Sequence, residues 1–224
     1  ERILGIGLGA PGFVSSDDGI IRNFAMMGVL KDLHIQKILS QYFDMQVIVD
    51  NNANARALNT YWCDMQAAYN DMVFIICSEG IGSGIISGGK ILRGYQNLAG
   101  EIGHTTVNIT GKRCHCGRYG CLETYCSQEA IENIVEEQLK WGKPSKLQEL
   151  LQQGQPICFD SICTAAREGD PLCLEVFETA ATALGAGIAN MLAVLNTQAV
   201  FLSGTVFDGF PNFYDMVVRK VKSQ

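Results

Sequence analysis

Short apolar runs alternate along the chain with longer stretches that carry one apolar stripe. Residues 3–8 are an apolar run that suits a buried strand, and they end at Gly9-Ala10-Pro11-Gly12. Ser15 to Gly19 reads as a turn, and the short runs on either side of it predict a hairpin. Over residues 31–44, Leu33, Ile35, Ile38, Leu39, Tyr42 and Phe43 fall mostly at helical spacing, which predicts a surface helix; His34 lies off its stripe and faces solvent. Residues 45–49 predict a strand that ends at Asp50-Asn51-Asn52, with a helix over 53–69. Residues 73–77 are a second β-branched run, leading into Ser78-Glu79-Gly80-Ile81-Gly82-Ser83-Gly84. Gly88-Gly89, set between Ile85-Ile86 and Ile91-Leu92, predicts a two-residue hairpin turn.

The second half of the chain reads as mostly helical. Residues 128–139 are amphipathic, and 144–153 and 160–167 are short helices separated by breakers. Asp170-Pro171 pairs an N-cap with proline in the first turn and opens a long apolar helix to residue 195. The second half of that helix is rich in small residues (Ala183, Gly185, Ala186, Gly187, Ala189), which favour close packing, so it is expected to be a core helix and not a membrane span. Residues 199–202 predict a strand ending in Ser203-Gly204, and 210–221 a last helix. The order of strands and helices is that of an α/β protein, without repeats, low-complexity runs or a clear linker.

Composition narrows this picture. With 224 residues, 47% of them hydrophobic and 18% charged, the chain can bury a real core in one large domain or two lobes. A net charge of −6 leaves no basic stripe of the kind that binds nucleic acid. The opening Glu1-Arg2 shows no secretory signal, and no apolar run is long enough for a span. Six of the nine cysteines (Cys63, Cys77, Cys126, Cys158, Cys163, Cys173) sit singly in apolar segments, as core thiols of a cytoplasmic protein do. The sequon Asn108-Ile109-Thr110 carries little weight in that setting. Two glycine motifs also fail. Gly7-x-Gly9-x-x-Gly12 contains Pro11 and opens no amphipathic helix, and Gly84 to Lys90 is followed by Ile91 where a phosphate loop needs Ser or Thr.

The remaining three cysteines are grouped. Between Gly100 and Glu123 the chain carries His104, Cys114, Cys116 and Cys121, one imidazole and three thiols, which suits a closed tetrahedral zinc site. Gly117 and Gly120 let the backbone turn tightly enough for Cys116 and Cys121 to converge. The competing reading is three buried thiols in a reducing compartment. Three cysteines within eight residues favour structural Zn2+, while His115, between two ligands, is expected to face solvent. The spacing lacks the paired C-x-x-C elements of a finger or ribbon.

This stretch spells Gly-Glu-x-Gly-His, a gap, then Cys-x-Cys-Gly-x-x-Gly-Cys-x-Glu, and in it the chain resembles the ROK family of repressors and sugar kinases. The resemblance implies an actin-like ATPase, ribonuclease H-like α/β fold with two lobes closing on a sugar and a zinc-stabilised loop. The lobes are expected over residues 1–55 and 56–224. It also implies that Gly12, Asn51, Asn52, Glu101, His104 and Glu123 contact sugar hydroxyls, with His104 giving its other ring nitrogen to zinc.

Departures from the kinases point to the regulator branch, of the xylose- and N-acetylglucosamine-repressor type. Asn52 stands where the kinases carry a catalytic aspartate; Asp50, two residues earlier, is a conceivable but badly placed substitute. Ser78, Glu79, Gly80, Gly82 and Gly84 form a degenerate nucleotide loop in which Glu79 replaces a neutral residue. The kinases' Asp-x-Gly-x-Thr hairpin is not found, so the chain is expected to begin after it and to stop before the closing strand and helix. The expected function is therefore a sugar or amino-sugar effector domain without catalytic residues. It would form a homodimer or homotetramer and reach DNA only through another domain. The alternatives are an ATP- and Mg2+-dependent sugar kinase and a zinc-stabilised interaction module with no small ligand.

Overall fold

A computed structural model of the chain describes residues 3–23 and 31–223. Its elements begin with β1 (Ile6–Ala10), β2 (Phe13–Ser15), β3 (Ile20–Asn23), β4 (Lys31–Leu33), α1 (Ile35–Phe43), β5 (Val47–Asn51) and α2 (Asn52–Asn59). A π-helical turn (Thr60–Asp64) leads to β6 (Met72–Cys77), β7 (Ile81–Ser87) and β8 (Lys90–Ile91). After a 3-10 turn at Ile102–His104 come α3 (Glu123–Cys126), α4 (Gln128–Lys140), α5 (Leu147–Gln152), α6 (Phe159–Arg167) and α7 (Pro171–Leu195). The described chain closes with β9 (Ala199–Ser203), α8 (Thr205–Gly209) and α9 (Asn212–Lys222). These elements form two compact units. The first comprises Glu1–Ile75, Ser83–Glu101 and Thr197–Phe201; the second comprises Ile76–Gly82, Ile102–Asn196 and Leu202–Gln224.

Among the described residues of the first unit, β1 pairs in parallel with β5, from Ile6 opposite Val47 to Ala10 opposite Asn51. The strand starts three residues later than the apolar run suggests, and Ile3 and Leu4 stay exposed. The predicted turn at Ser15 to Gly19 is present, joining β2 to β3 as an antiparallel pair. Residues 31–33 are the strand β4 and not the first turn of a helix, because they pair with β3, Leu33 opposite Ile21. Helix α1 follows from Ile35 without a side-chain cap and buries none of its residues fully. Helix α2 is also shorter than its pattern predicts. Its last turn widens at Thr60–Asp64, so Tyr61 packs inward with Met72 and Ile86. The Gly88-Gly89 turn behaves as predicted: Ile86 pairs with Ile91 and Ser87 with Lys90, and both glycines have positive φ (56° and 75°). Strands β8, β7, β6 and β9 lie in that order in one sheet.

The second unit is built around α7. The Asp170 side chain accepts from Cys173 N at its first turn, Pro171 follows the cap, and Asn196 ends it in the left-handed conformation. This helix is long and apolar enough for a membrane span, but 56% of the relevant window is buried inside the protein. Its small residues explain that burial. A Cβ on Gly185 would lie 2.6 Å from Lys220 Cβ of α9, and one on Gly187 would lie 2.7 Å from Leu122 Cδ2. Phe177 of α7 centres an aromatic cluster, with ring centroids 4.5 Å from Phe210, 5.7 Å from Phe213 and 6.3 Å from Phe159.

Asp170 does more than cap α7. Its carboxylate, 0% exposed, also accepts from Lys146 N (2.8 Å) and Ser145 Oγ (3.0 Å), tying the α4–α5 connection to the start of α7. Burial alone would raise its pKa, but the N–H groups of Cys173 and Lys146 and the Ser145 hydroxyl hold it below the usual carboxylate value. The unfolded chain therefore binds the proton more readily. The stability this gives is fully present above the unfolded carboxyl value of about 3.9 and is lost as pH falls through the lower folded value. Asp170→Ala is expected to cost roughly 2–4 kcal/mol at neutral pH, as a lost cap plus stranded donors. The deficit should shrink below about pH 4, which urea melts across pH 3–7 would measure.

Candidate functional site

The stretch between the 3-10 turn and α3, in the second unit, folds back on itself as an irregular hairpin. Isolated bridges pair Thr106 with Cys121 and Arg113 with Tyr119. Cys114 N donates to Arg118 O (2.8 Å) and Gly117 N to Cys114 O (2.9 Å), so the Cys114–Arg118 tip is a tight turn. Gly117 (φ 89°) and Gly120 (φ 64°) take left-handed conformations, and a Cβ on Gly120 would sit 1.6 Å from Asn108 O. Leu122 N donates to Thr105 O (2.9 Å), which anchors the returning strand beside His104.

This folding brings four ligand atoms, one each from His104, Cys114, Cys116 and Cys121, within 4.8 Å of one another, a set that could hold a metal ion. Cys114 Sγ lies 3.7 Å from His104 Nδ1, and Cys116 Sγ lies 3.6 Å from Cys121 Sγ. No disulfide joins these thiols. Cys114 and Cys121 are buried, His104 is half-buried, and Cys116 lies at the open side. His115 is exposed and outside the cluster, as the sequence predicts. Burial pushes the Cys121 thiol up to about 12, helped by its hydrogen bonds and charge contacts with Cys116 and Cys114. Burial raises Cys114 as well. At Cys116 the Arg118 N–H and the neighbouring thiols outweigh burial and lower it. Three thiols in mutual contact resist ionising together, and a cation at their centre removes that resistance.

The hydroxyl-binding candidates divide between the units. His104 and Glu123 belong to the second, and Glu123 opens α3. Its Oε2 accepts from Ile81 N (3.0 Å), and a Cβ on Gly80 would meet that oxygen at 2.9 Å. The carboxylate is thus half committed to the Ser78–Gly82 turn, a contact no sequence signal announced. The turn itself is latched. Ser78 N donates to Gly80 O (2.9 Å), Ser78 O accepts from Gln128 N (2.8 Å), and Ser78 Oγ accepts from Thr205 N (3.2 Å). Glu79 projects from it, exposed. Gly82 and Gly84 lie in β7, and Gly84 sits against α2, since a Cβ there would fall 2.5 Å from Ala53 O.

Gly12, Asn51, Asn52 and Glu101 lie in the first unit. Asn51 caps α2, its Oδ1 accepting from Ala53 N (2.8 Å), while its Nδ2 donates to Gly12 O (3.1 Å). Asn52 Oδ1 accepts from Ala53 N (3.0 Å), and Glu101 is half-buried. Asp50 does not share a strand face with Asn52, because the strand ends at Asn51 and Asn52 already opens the helix. Arg93 instead grips both Asp50 oxygens, Nη1 to Oδ1 at 2.7 Å and Nη2 to Oδ2 at 2.7 Å. Both oxygens of Asp50 are thereby engaged by the guanidinium fork, which argues against Asp50 as a substitute base.

An α/β fold of the sugar-kinase type, with a loop that carries one histidine and three cysteines, defines a class that contains both enzymes and repressors. The chain belongs to the ROK family, whose model matches residues 1–224. It is 32% identical over 224 residues to the xylose repressor of Caldicellulosiruptor bescii, covering 100% of this chain and 55% of the repressor. It is 36% identical over 205 residues to the glucokinase of Halalkalibacterium halodurans, covering 91% of this chain and 62% of the enzyme. Among solved structures, a ROK family transcriptional regulator homologous to the Escherichia coli MLC protein superposes with a TM-score of 0.88 at 31% identity, covering 100% of this chain and 55% of that one. The Streptomyces griseus ROK glucokinase, solved with glucose and AMPPNP, also gives 0.88, at 28% identity, covering 99% of this chain and 72% of the enzyme. The chain thus spans little more than half the length of the curated relatives it matches.

Proposed function

We propose that this chain is the sugar-binding effector part of a ROK transcriptional regulator and that it senses a sugar without phosphorylating it. The observation that carries the reading is Asn52. An amide cannot take a proton from an attacking hydroxyl, and loss of a general base typically costs ~10²–10⁴-fold. The one carboxylate nearby in sequence, Asp50, is engaged by Arg93. Glu79 adds exposed negative charge to the turn where a nucleotide's phosphates would require backbone N–H groups and neutral or positive neighbours. The repressor relative, matched over the whole chain, supports the same reading.

In this reading Gly12, Asn51, Asn52, Glu101, His104 and Glu123 recognise sugar hydroxyls, and the metal is structural zinc. Tetrahedral Zn–S bonds of about 2.3 Å place ligand atoms ~3.8 Å apart, close to the 3.6 and 3.7 Å separations in the cluster. With Nδ1 of His104 turned to the thiols, its Nε2–H is left to donate to a hydroxyl. Sugar binding would shift the population of conformations that a dimeric or tetrameric regulator presents to DNA, with DNA contact made by another domain.

A second reading, an ATP- and Mg2+-dependent sugar kinase, is favoured by the 36% identity to a glucokinase. An ADP-release assay across aldohexoses, N-acetylhexosamines and pentoses separates the two. The expected result is no turnover but a higher melting temperature with one class of sugar; clear turnover rejects the sensor. Asn52→Asp is expected to leave the protein without kinase activity, since Glu79 remains. Measurable phosphorylation by that variant would show the amide to be the sole defect.

A further inference from the structure

We infer that Arg93 is a positioning residue for sugar recognition, its fork on Asp50 clamping the segment that carries Glu101 to the turn that carries Asn51 and Asn52. The inference rests on the sugar-binding reading above, and all of its residues lie in the first unit. Arg93 and Asp50 are 43 positions apart, so only the fold brings them together. Their side chains are 30% and 11% exposed, which makes the pair less screened than a surface ion pair.

Two short chains of contacts leave this pair. On one side Asp50 Oδ1 accepts from Asn51 N (2.8 Å) and Asn54 Nδ2 (3.3 Å). Asn51 in turn holds the Gly12 carbonyl and the first turn of α2. One guanidinium therefore fixes the direction of three candidate hydroxyl contacts: Gly12, Asn51 and, through the helix start, Asn52. On the other side Arg93 O accepts from Ala99 N (3.0 Å), closing the 93–99 loop. Gly100 O accepts from Ser83 N (3.0 Å) and Ser83 Oγ (2.7 Å). Gly100 has φ 90°, and a Cβ there would meet Ser83 O at 2.2 Å, so the backbone leading into Glu101 has little room to shift. A planar fork sets orientation as well as charge, and an ammonium would supply only the charge.

The test uses isothermal titration of wild type, Arg93→Met and Arg93→Lys with a panel of pentoses, hexoses and N-acetylhexosamines, alongside thermal melts. Leu39→Ala in α1 serves as a destabilised control with the clamp intact. Affinity of Arg93→Met for the sugar that wild type binds is expected to fall about 10- to 100-fold, as misplaced contacts do. Arg93→Lys should recover the melting temperature better than the affinity, and Leu39→Ala should lose stability while keeping its affinity. Wild-type affinity in Arg93→Met, or in Arg93→Lys if the first variant does not fold, overturns the clamp alone. Equal losses in Leu39→Ala at matched stability overturn it too, by making the effect general. Should wild type bind no sugar in the panel, the sensor reading falls and the clamp with it.

Discussion

Cys121→Ser is expected to lose the bound metal and to destabilise the second unit more than any other single change considered for this chain. Cys121 is 0% exposed, and its neighbour Leu122, also 0% exposed, packs onto the Gly187 position of α7. The irregular hairpin around them is held by isolated bridges and a few loop hydrogen bonds, with no continuous ladder to fall back on. Removing a structural zinc can forfeit on the order of 10 kcal/mol in isolated peptides. The surrounding core should recover part of this, leaving a loss of roughly 5 kcal/mol, or about 10–20 °C in melting temperature for a protein of this size. Elemental analysis should give one zinc per wild-type chain and none for the variant, and a strong chelator should bring wild type down to the variant's melting temperature. Cys116→Ser, at the open side of the cluster, should lose less stability. If the buried-ligand variant kept both metal and melting point, the cluster would be a set of packed thiols and the zinc assignment would fail.

Phe177→Ala is the second large effect, and it tests the core instead of the site. The ring is fully buried and packs against the rings of Phe159, Phe210 and Phe213, which come from α6, the C-terminal end of α8 and α9. Removing it should cost about 3–5 kcal/mol through lost transfer energy and an unfilled cavity, read as a lower urea midpoint at an unchanged slope. Phe177→Leu, which refills most of the volume, should recover more than half of the loss. Since no aromatic of this cluster belongs to the metal loop, the Phe177→Ala variant should still carry its zinc below the melting transition. Loss of metal well before global unfolding would mean that loop and core are one cooperative element.

Much of this was legible from residue order. Local features depend on neighbours a few positions apart, and those were read well: the Gly88-Gly89 turn, the Asp170 cap with Pro171, the small-residue face of α7 and the grouping of His104 with three cysteines. Segments whose state is set by distant partners were read less well. Residues 31–33 have the spacing of a helix but are drawn into a strand by β3. The 53–69 helix widens at Thr60 because Tyr61 finds Met72 and Ile86 in the core. Arg93 gave no signal at all, since nothing near it in the chain contains its partner.

Residue types and spacing alone determined that one imidazole and three thiols lie within eighteen positions, that residue 52 is an amide and not a carboxylate, and that Glu79 interrupts the glycine-rich turn. These are matters of chemical identity, and folding cannot change them. The tertiary structure alone decided how the chemistry is constrained. It turned Nδ1 of His104 toward the thiols, committed one oxygen of Glu123 to Ile81, and gave both oxygens of Asp50 to a guanidinium 43 residues away. The reason is physical: what a titratable group can do depends on the hydrogen bonds and charges around it, and most of those here arrive from remote parts of the chain.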